Sequence, residues 1–381
     1  MTIRNIYPVT IATALCYIAV GCKKPYVPPV ITAPSSYLVV DGVINSGADS
    51  TFIRLSLTKN LGDTTITNGV AGAALTVESQ DIKYNLSEIK TGVYVHSGLN
   101  LDKTKKYRLR IKTVTHQEYL SDEVEVKQTP PIDSITFEPQ SNALNINVST
   151  HDPSNKTVYY RWDFDEDWRF HAKYSSGFEA AHDTLRLRTD DHQIYYCFNK
   201  DRSNHIALAS SVKLAQDVIS KGLVTTIPSY SDKISVRYTM LLRQYALTKE
   251  AYNFYENLQK NTETLGSIFD ALPSEITGNI HSISNPKEPV IGFISASTVT
   301  SKRIFIDKAQ LPANWVTAYP ETCTQDSTIG FDAINTYILS KAMIATSGIY
   351  KQGFLIGVFR STYECADCTV RGVVKPPPFW K

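Results

Sequence analysis

The chain has 381 residues, a formal net charge of +2 and 20% charged residues. That length has room for two cores, and the near-neutral balance gives no reason to expect nucleic acid, because a phosphate binder concentrates positive charge. The densest basic run, Lys105-Lys106-Tyr107-Arg108, lies inside a strand-like alternation and reads as a solvated sheet face. Past the N-terminus, no apolar stretch reaches the roughly 18 residues that span a bilayer.

The first 22 residues read as an address. Arg4 supplies a short positive region, Val9 to Val20 a mostly apolar one, and Ile18-Ala19-Val20-Gly21 sets small residues before Cys22. This is the order of a secretory signal, and a cysteine at that point is the form of a bacterial lipobox. Residues 1–21 are expected to leave, and Cys22 to carry a diacylglycerol and a further acyl chain. Each buried methylene contributes about 0.8 kcal/mol, so two or more chains hold firmly where one does not. Residues 22–35, with Pro25, Pro28, Pro29 and Pro34, form a semi-rigid tether.

From Tyr37 the pattern is β. Strands are expected at 38–44, 51–57, 73–77, 84–86, 92–95, 107–112 and 124–126, with turns at Leu61-Gly62-Asp63 and Asn68-Gly69. Tyr107 to Lys112 alternates apolar and polar, the mark of a half-buried strand. About seven short strands with regular turns imply an immunoglobulin-like antiparallel β-sandwich over 36–129. Thr129-Pro130-Pro131-Ile132 is the expected boundary, since paired prolines stop a ladder. A second β-rich domain over 130–320 follows, with strands at 132–137, 143–148, 158–164, 185–188, 193–198 and 206–209. A helical insertion spans 211–262. It comprises a short helix over 212–219, with Ser211 as cap, and a longer one from Lys249 to about Asn261, with Thr248 as N-cap. Ala251, Phe254, Tyr255 and Leu258 form its apolar face, which suits packing on the sheet. Val290 to Ser295 and Arg303 to Ile306 read as a strand pair. Residues 321–381 form a cysteine-bearing C-terminal segment packed on the second domain.

Apart from Cys16 and Cys22, four cysteines remain: Cys197, Cys323, Cys365 and Cys368. In an exported chain these read as disulfide candidates. The Cys365-Ala-Asp-Cys368 spacing also admits a redox pair or a metal site, but no βαβ pattern surrounds it and no second close pair accompanies it. Joining Cys323 to Cys365 or Cys368 closes a long loop and constrains the unfolded chain by roughly 4 kcal/mol, against roughly 2 kcal/mol for the close pair. The longer link is therefore favoured.

No catalytic motif stands out. Asp163-Phe-Asp165-Glu166-Asp167 is the densest acidic cluster. A calcium loop starting at Asp163 needs Gly at its sixth position and Glu at its twelfth, and Trp168 and Tyr174 stand there. A glycosidase needs two carboxyls about 5 to 10 Å apart, which leaves a surface glycan hydrolase as an alternative. The simpler expectation is a solvated strand end between Trp162 and Trp168. The eight histidines form no HxH or HxxxH pair, and no P-loop, GxGxxG or G-x-S-x-G occurs. The 22 tyrosines, Tyr159, Tyr160, Tyr195 and Tyr196 among them, suit core and sheet-face packing. No cofactor is expected.

Several segments in order resemble a known family. They are Tyr37-Leu-Val-Val-Asp-Gly-Val-Ile; Arg237-Tyr238 with Gln244-Tyr245-Ala246-Leu247-Thr248; Glu250-Ala251-Tyr252-Asn-Phe254; Gly278-Asn279-Ile280; Glu288-Pro289-Val290-Ile291-Gly292-Phe293; Cys365-Ala-Asp367-Cys368; and the Lys375 to Trp380 tail. Together they are similar to the Bacteroidota outer-membrane lipoproteins grouped as domain of unknown function 4249. The resemblance implies a lipid-anchored outer-membrane protein whose gene often neighbours a TonB-dependent receptor, and it implies no catalytic residues. Lys23 and Lys24 stand where surface-exported lipoproteins of that phylum often carry acids, so the extracellular and periplasmic faces both stay open. The expectation is a non-enzymatic accessory to a TonB-dependent transporter in nutrient uptake, with a cell-surface adhesin as a further alternative.

Overall fold

The structure is a computed structural model that describes residues 36–59, 68–80, 82–181, 184–263 and 278–380. The signal, Cys22, the tether and the Leu61-Gly62-Asp63 turn lie outside the described residues. The fold is mostly β, as the alternation implies.

The first unit is a barrel-like sheet. Strand Lys106–Lys112 pairs with Ala74–Ser79, which pairs with Ile82–Lys90, followed in order by Val93–His96, Thr51–Leu57, Leu38–Asn45, Ser295–Ser297 and Val124–Lys127. Val124–Lys127 then pairs back onto Lys106–Lys112, closing a ring of eight strands. Two strands change partner along their length, which turns the corners of the ring. Ile82–Lys90 serves Ala74–Ser79 with its first half and Val93–His96 with its second. Lys106–Lys112 serves Val124–Lys127 at its start and Glu118–Ser121 at its end. The immunoglobulin-like sandwich expected for 36–129 thus takes the form of a closing ring.

Residues from far along the chain complete that ring. Ser295–Ser297 is wedged between Leu38–Asn45 and Val124–Lys127, parallel to both. Ile280–Ser282 extends the sheet beyond Glu118–Ser121, and Ile291–Gly292 pairs with Val39 and Val40. Ile280, Val290, Ile294 and Ala296 join Leu38, Ile53, Leu75, Tyr94, Leu109 and Ile111 in one buried core. Parallel neighbours need a long crossover between them, and here the crossover is most of the second unit. At Gly292 (φ +146°) a Cβ would lie 2.2 Å from the Val40 carbonyl oxygen, so only glycine fits that contact.

The second unit is a sandwich. One sheet orders Val218–Pro228, Ala143–His151 and Ile132–Pro139. The facing sheet centres on Tyr159–His171, flanked by Tyr196–Arg202 and Ala207–Ser210 on one side and by Arg237–Ala246, then Val299–Asp307, on the other. Side chains alternate between faces of a strand. Tyr160, Trp162, Phe164, Trp168 and Phe170 therefore all enter the core, against Leu144, Ile146 and Val148. The cluster expected as a solvated strand end lies instead within this thirteen-residue central strand, and both tryptophans are buried. Gln244 locks the layers: its Oε1 accepts from Trp162 Nε1 (2.8 Å), and its Nε2 donates to Pro130 O and Thr150 Oγ1 (both 2.9 Å).

The expected helix over 212–219 is a turn followed by the strand Val218–Pro228. Buried Asp217 explains the change: its carboxylate accepts from Tyr160 OH and Ser211 Oγ, and its N–H bonds Asn155 Oδ1 at 2.7 Å. A helix would pull these groups apart. The helix Lys249–Glu263 forms as expected, with Thr248 Oγ1 accepting from Ala251 N at 3.2 Å. Its Ala251, Phe254 and Tyr255 fill the junction between the units, against Val43 and Phe293 of the barrel and Tyr245 and Leu247 of the sandwich. The expected strand pair near 290–306 does not pair with itself. Ile291–Gly292 joins the barrel, and Val299–Asp307 joins Arg237–Ala246.

The C-terminal segment adds a three-stranded sheet, Asp326–Ile329, Phe354–Ser361 and Ile344–Lys351. One disulfide, Cys197–Cys368, staples it to the sandwich, and a second, Cys323–Cys365, closes a loop within the segment. The second is one of the two long links favoured from the sequence.

Candidate functional site

A cleft of about 410 Å³ opens between the barrel and the sandwich. The barrel wall presents Asp41 and Arg54 from neighbouring antiparallel strands, with Phe52 and Asp49 beside them. The sandwich wall presents Arg161, Asp163 and Asp165 from the central strand, Arg243 and Tyr245 from its neighbour, and Arg202 from the edge. Odd-numbered positions of the central strand point away from the sandwich core, which brings Arg161, Asp163 and Asp165 onto one face.

The charges are arranged as a network. Arg243 donates from Nε to Asp163 Oδ1 and from Nη1 to Asp165 Oδ2, both at 2.6 Å. Such a guanidinium shared between two carboxylates is a strong, directional contact. Arg202 lies more loosely, 3.8 Å from Asp163 and 4.0 Å from Asp165. Arg54 reaches Asp41 at 3.4 Å. Burial pushes the Asp165 carboxyl up, but the Arg243 hydrogen bond and charge outweigh it and hold the group below the usual carboxylate range. Burial acts to lower the Arg243 pKa, and its two aspartates more than reverse that.

Arg161 differs from its neighbours. Its side chain is 12% exposed, and Asp163 stands 3.8 Å away. Its Nε is buried without a hydrogen-bond partner, and none of the described residues accepts from its Nη atoms. Its guanidinium carbon lies 4.7 Å from the Tyr245 ring centre and 4.4 Å from that of Tyr255. The helix Lys249–Glu263 supplies Tyr255, so the junction that holds the two units together also holds this arginine.

The acidic cluster that the sequence singled out is divided by the strand. Asp163 and Asp165 face the cleft, whereas Glu166 points into the sandwich, buried, accepting from Lys233 Nζ and from Tyr238 OH at 2.8 Å. Asp165 and Glu166 are adjacent in a strand and cannot converge on one bond, and Asp163 and Asp165 are both committed to Arg243. Asp167 is buried; burial pushes its carboxyl up, and Arg303 at 3.8 Å draws it back only in part. Among the described residues, no group of three or more His, Cys, Asp or Glu is placed to hold a metal ion. Arg161, Arg202 and Arg243 were not singled out from the sequence, and Tyr255 was marked only as part of a helix face that packs on the sheet. For Arg161 the available signal was its alternation with Asp163 and Asp165 on one face of a strand; Arg202 and Arg243 carried no such pattern.

Cys197, Cys323, Cys365 and Cys368 all lie in the disulfides, away from the cleft. Cys22 lies outside the described residues. No helix among the described residues is long and apolar enough to cross a membrane.

Two solved structures to which the chain is similar are faint likenesses. Chitinase ChiA74 from Bacillus thuringiensis is 14% identical with a TM-score of 0.16, over 52% of this chain and 27% of the chitinase. A DUF3823 family protein from Parabacteroides merdae is 10% identical with a TM-score of 0.15, over 56% of this chain and 92% of its own. The chain thus spans about a quarter of the chitinase's length, and neither score carries an argument about fold or activity. No curated protein matches. Residues 23–303 match the family described as Domain of unknown function (DUF4249), which takes in the barrel, the strands that close it and nearly all of the sandwich, and the chain belongs to that family.

Proposed function

We propose that the protein is a non-catalytic binding module, held to the outer membrane by lipid on Cys22, that serves a TonB-dependent transporter in nutrient uptake. The observation that carries this reading is the cleft between barrel and sandwich, walled by charged side chains set on strands. Ion pairs on rigid strands suit recognition, because the geometry is fixed before a ligand arrives. The Asp163–Arg243–Asp165 bridge leaves neither carboxylate free to act as a general acid, which favours binding over the hydrolase alternative. A lipid anchor and a proline-rich tether would place the module beside a membrane receptor while leaving it free to turn.

Detergent extraction of cells carrying the tagged protein tests the reading. A receptor-type β-barrel should co-purify under at least one growth substrate. Its absence across a panel of substrates overturns the proposed partnership.

A further inference from the structure

Arg161 poses a physical problem that its own fold does not solve. A guanidinium carries five N–H donors, and removing a charge from water without hydrogen bonds is costly. Yet this side chain is 12% exposed, its Nε is buried without a partner, and its one ion pair is a loose 3.8 Å contact to Asp163. The nearby rings of Tyr245 and Tyr255 engage its π faces through cation–π contact, which leaves its N–H edge as the unsatisfied part.

We propose that the Arg161 edge is the receiving group for a small organic carboxylate that binds in the cleft; this rests on the binding-module reading and names its ligand class. Planar, forked donors match the two oxygens of a carboxylate. The placement of charge, rather than its sum, favours a monoanion. The cleft as a whole is balanced, with Arg54, Arg161, Arg202 and Arg243 against Asp41, Asp49, Asp163 and Asp165, but the sandwich wall carries three arginines to two aspartates and the barrel wall one arginine to two aspartates. One negative charge on the sandwich wall meets its local excess, and a dianion would be repelled by aspartates on both walls. Phe52, 43% exposed at the barrel side, offers an apolar surface for the body of the ligand. A cleft of about 410 Å³ is of the size that takes a small molecule or the end of a peptide.

Calorimetry on the full chain in detergent tests this with matched pairs: galacturonate against galactose, benzoate against benzyl alcohol, and Gly-Phe against its C-terminal amide. At least one acid should bind about tenfold or more tightly than its neutral partner, a difference of about 1.4 kcal/mol. Which pair responds distinguishes a free sugar or aromatic acid from a peptide terminus. Arg161→Leu should lose that preference and melt within a few degrees of the parent, because it removes a largely buried charge whose one ion pair is loose and sets an apolar side chain between the two tyrosine rings. Arg161→Lys should also lose it, because the fork is gone. The parent protein provides an independent readout: the Arg161 Nε–H resonance should shift on addition of the acid that binds. Equal affinity for acids and neutral partners, an unmoved resonance at saturating acid, or a large loss of stability in Arg161→Leu overturns the proposal. Receptor co-purification that persists in Arg161→Leu alongside such a result would show that the ligand assignment had failed and the partnership had not.

Discussion

Residues 36–129 should not fold without 278–298. The sequence places a domain boundary at Thr129, yet the barrel takes Ile280, Val290, Ile294 and Ala296 into its core at 4%, 6%, 0% and 1% exposure. Burying a large aliphatic side chain contributes about 1.5–3 kcal/mol, so the first three supply roughly 5–9 kcal/mol. A domain's entire margin is about 5–15 kcal/mol. Removing them also strips Ser295–Ser297 from between Leu38–Asn45 and Val124–Lys127, which opens the ring and exposes two strand edges. The assay is a ¹⁵N–¹H correlation spectrum and urea melt of 36–129 alone, beside the same segment joined by a flexible linker to 278–298. The first should give a collapsed spectrum with no cooperative transition, and the second a dispersed spectrum and a sigmoidal melt. A dispersed spectrum and cooperative melt from 36–129 alone would refute the reasoning.

Three further outcomes follow from single contacts. Gly292→Ala drives a Cβ into the Val40 carbonyl at a φ of +146°, and should destabilise the barrel by about 2 kcal/mol or more in a denaturant melt. Removing Cys197–Cys368 by double serine substitution releases a 171-residue loop; the chain-entropy account gives about 5 kcal/mol for that link and about 4 kcal/mol for Cys323–Cys365, so the melting temperature should fall further for the first. Glu78 is buried, and hydrogen bonds from Arg110, with lesser help from Arg108, outweigh desolvation and hold its carboxyl below the ordinary 4.5. Its contribution is present above that value and lost as pH falls through the lower folded-state value, so barrel stability should decline in acid and Glu78→Gln should flatten that part of the decline.

The local structure was more legible than its connections. Period-two alternation located Thr51–Leu57 and Lys106–Lys112 closely, because each strand has one face in the core. The face Ala251, Phe254, Tyr255 and Leu258 marked its helix for the same reason. The closing strand escaped notice because Ser295–Ser297 is only three residues long and fully buried, so it shows no alternation. Residues 212–219 carried helical spacing, but tertiary hydrogen bonds at Asp217 decided the conformation, and no local pattern encodes those. The acidic cluster was visible as composition, yet its division between two faces depended on the strand running through it. Arg161 was silent in sequence, since its burial depends on Tyr255 from a helix almost a hundred residues away.

The proposed function is that of a β-built binding module held at a membrane by lipid on Cys22. Intact-mass and peptide mass spectrometry of the protein purified from native membranes tests that claim most directly. The account predicts a mature chain starting at Cys22 with a thioether-linked diacylglycerol and an acylated amine. An unmodified Cys22 thiol, or a chain that retains residues 1–21, would contradict it.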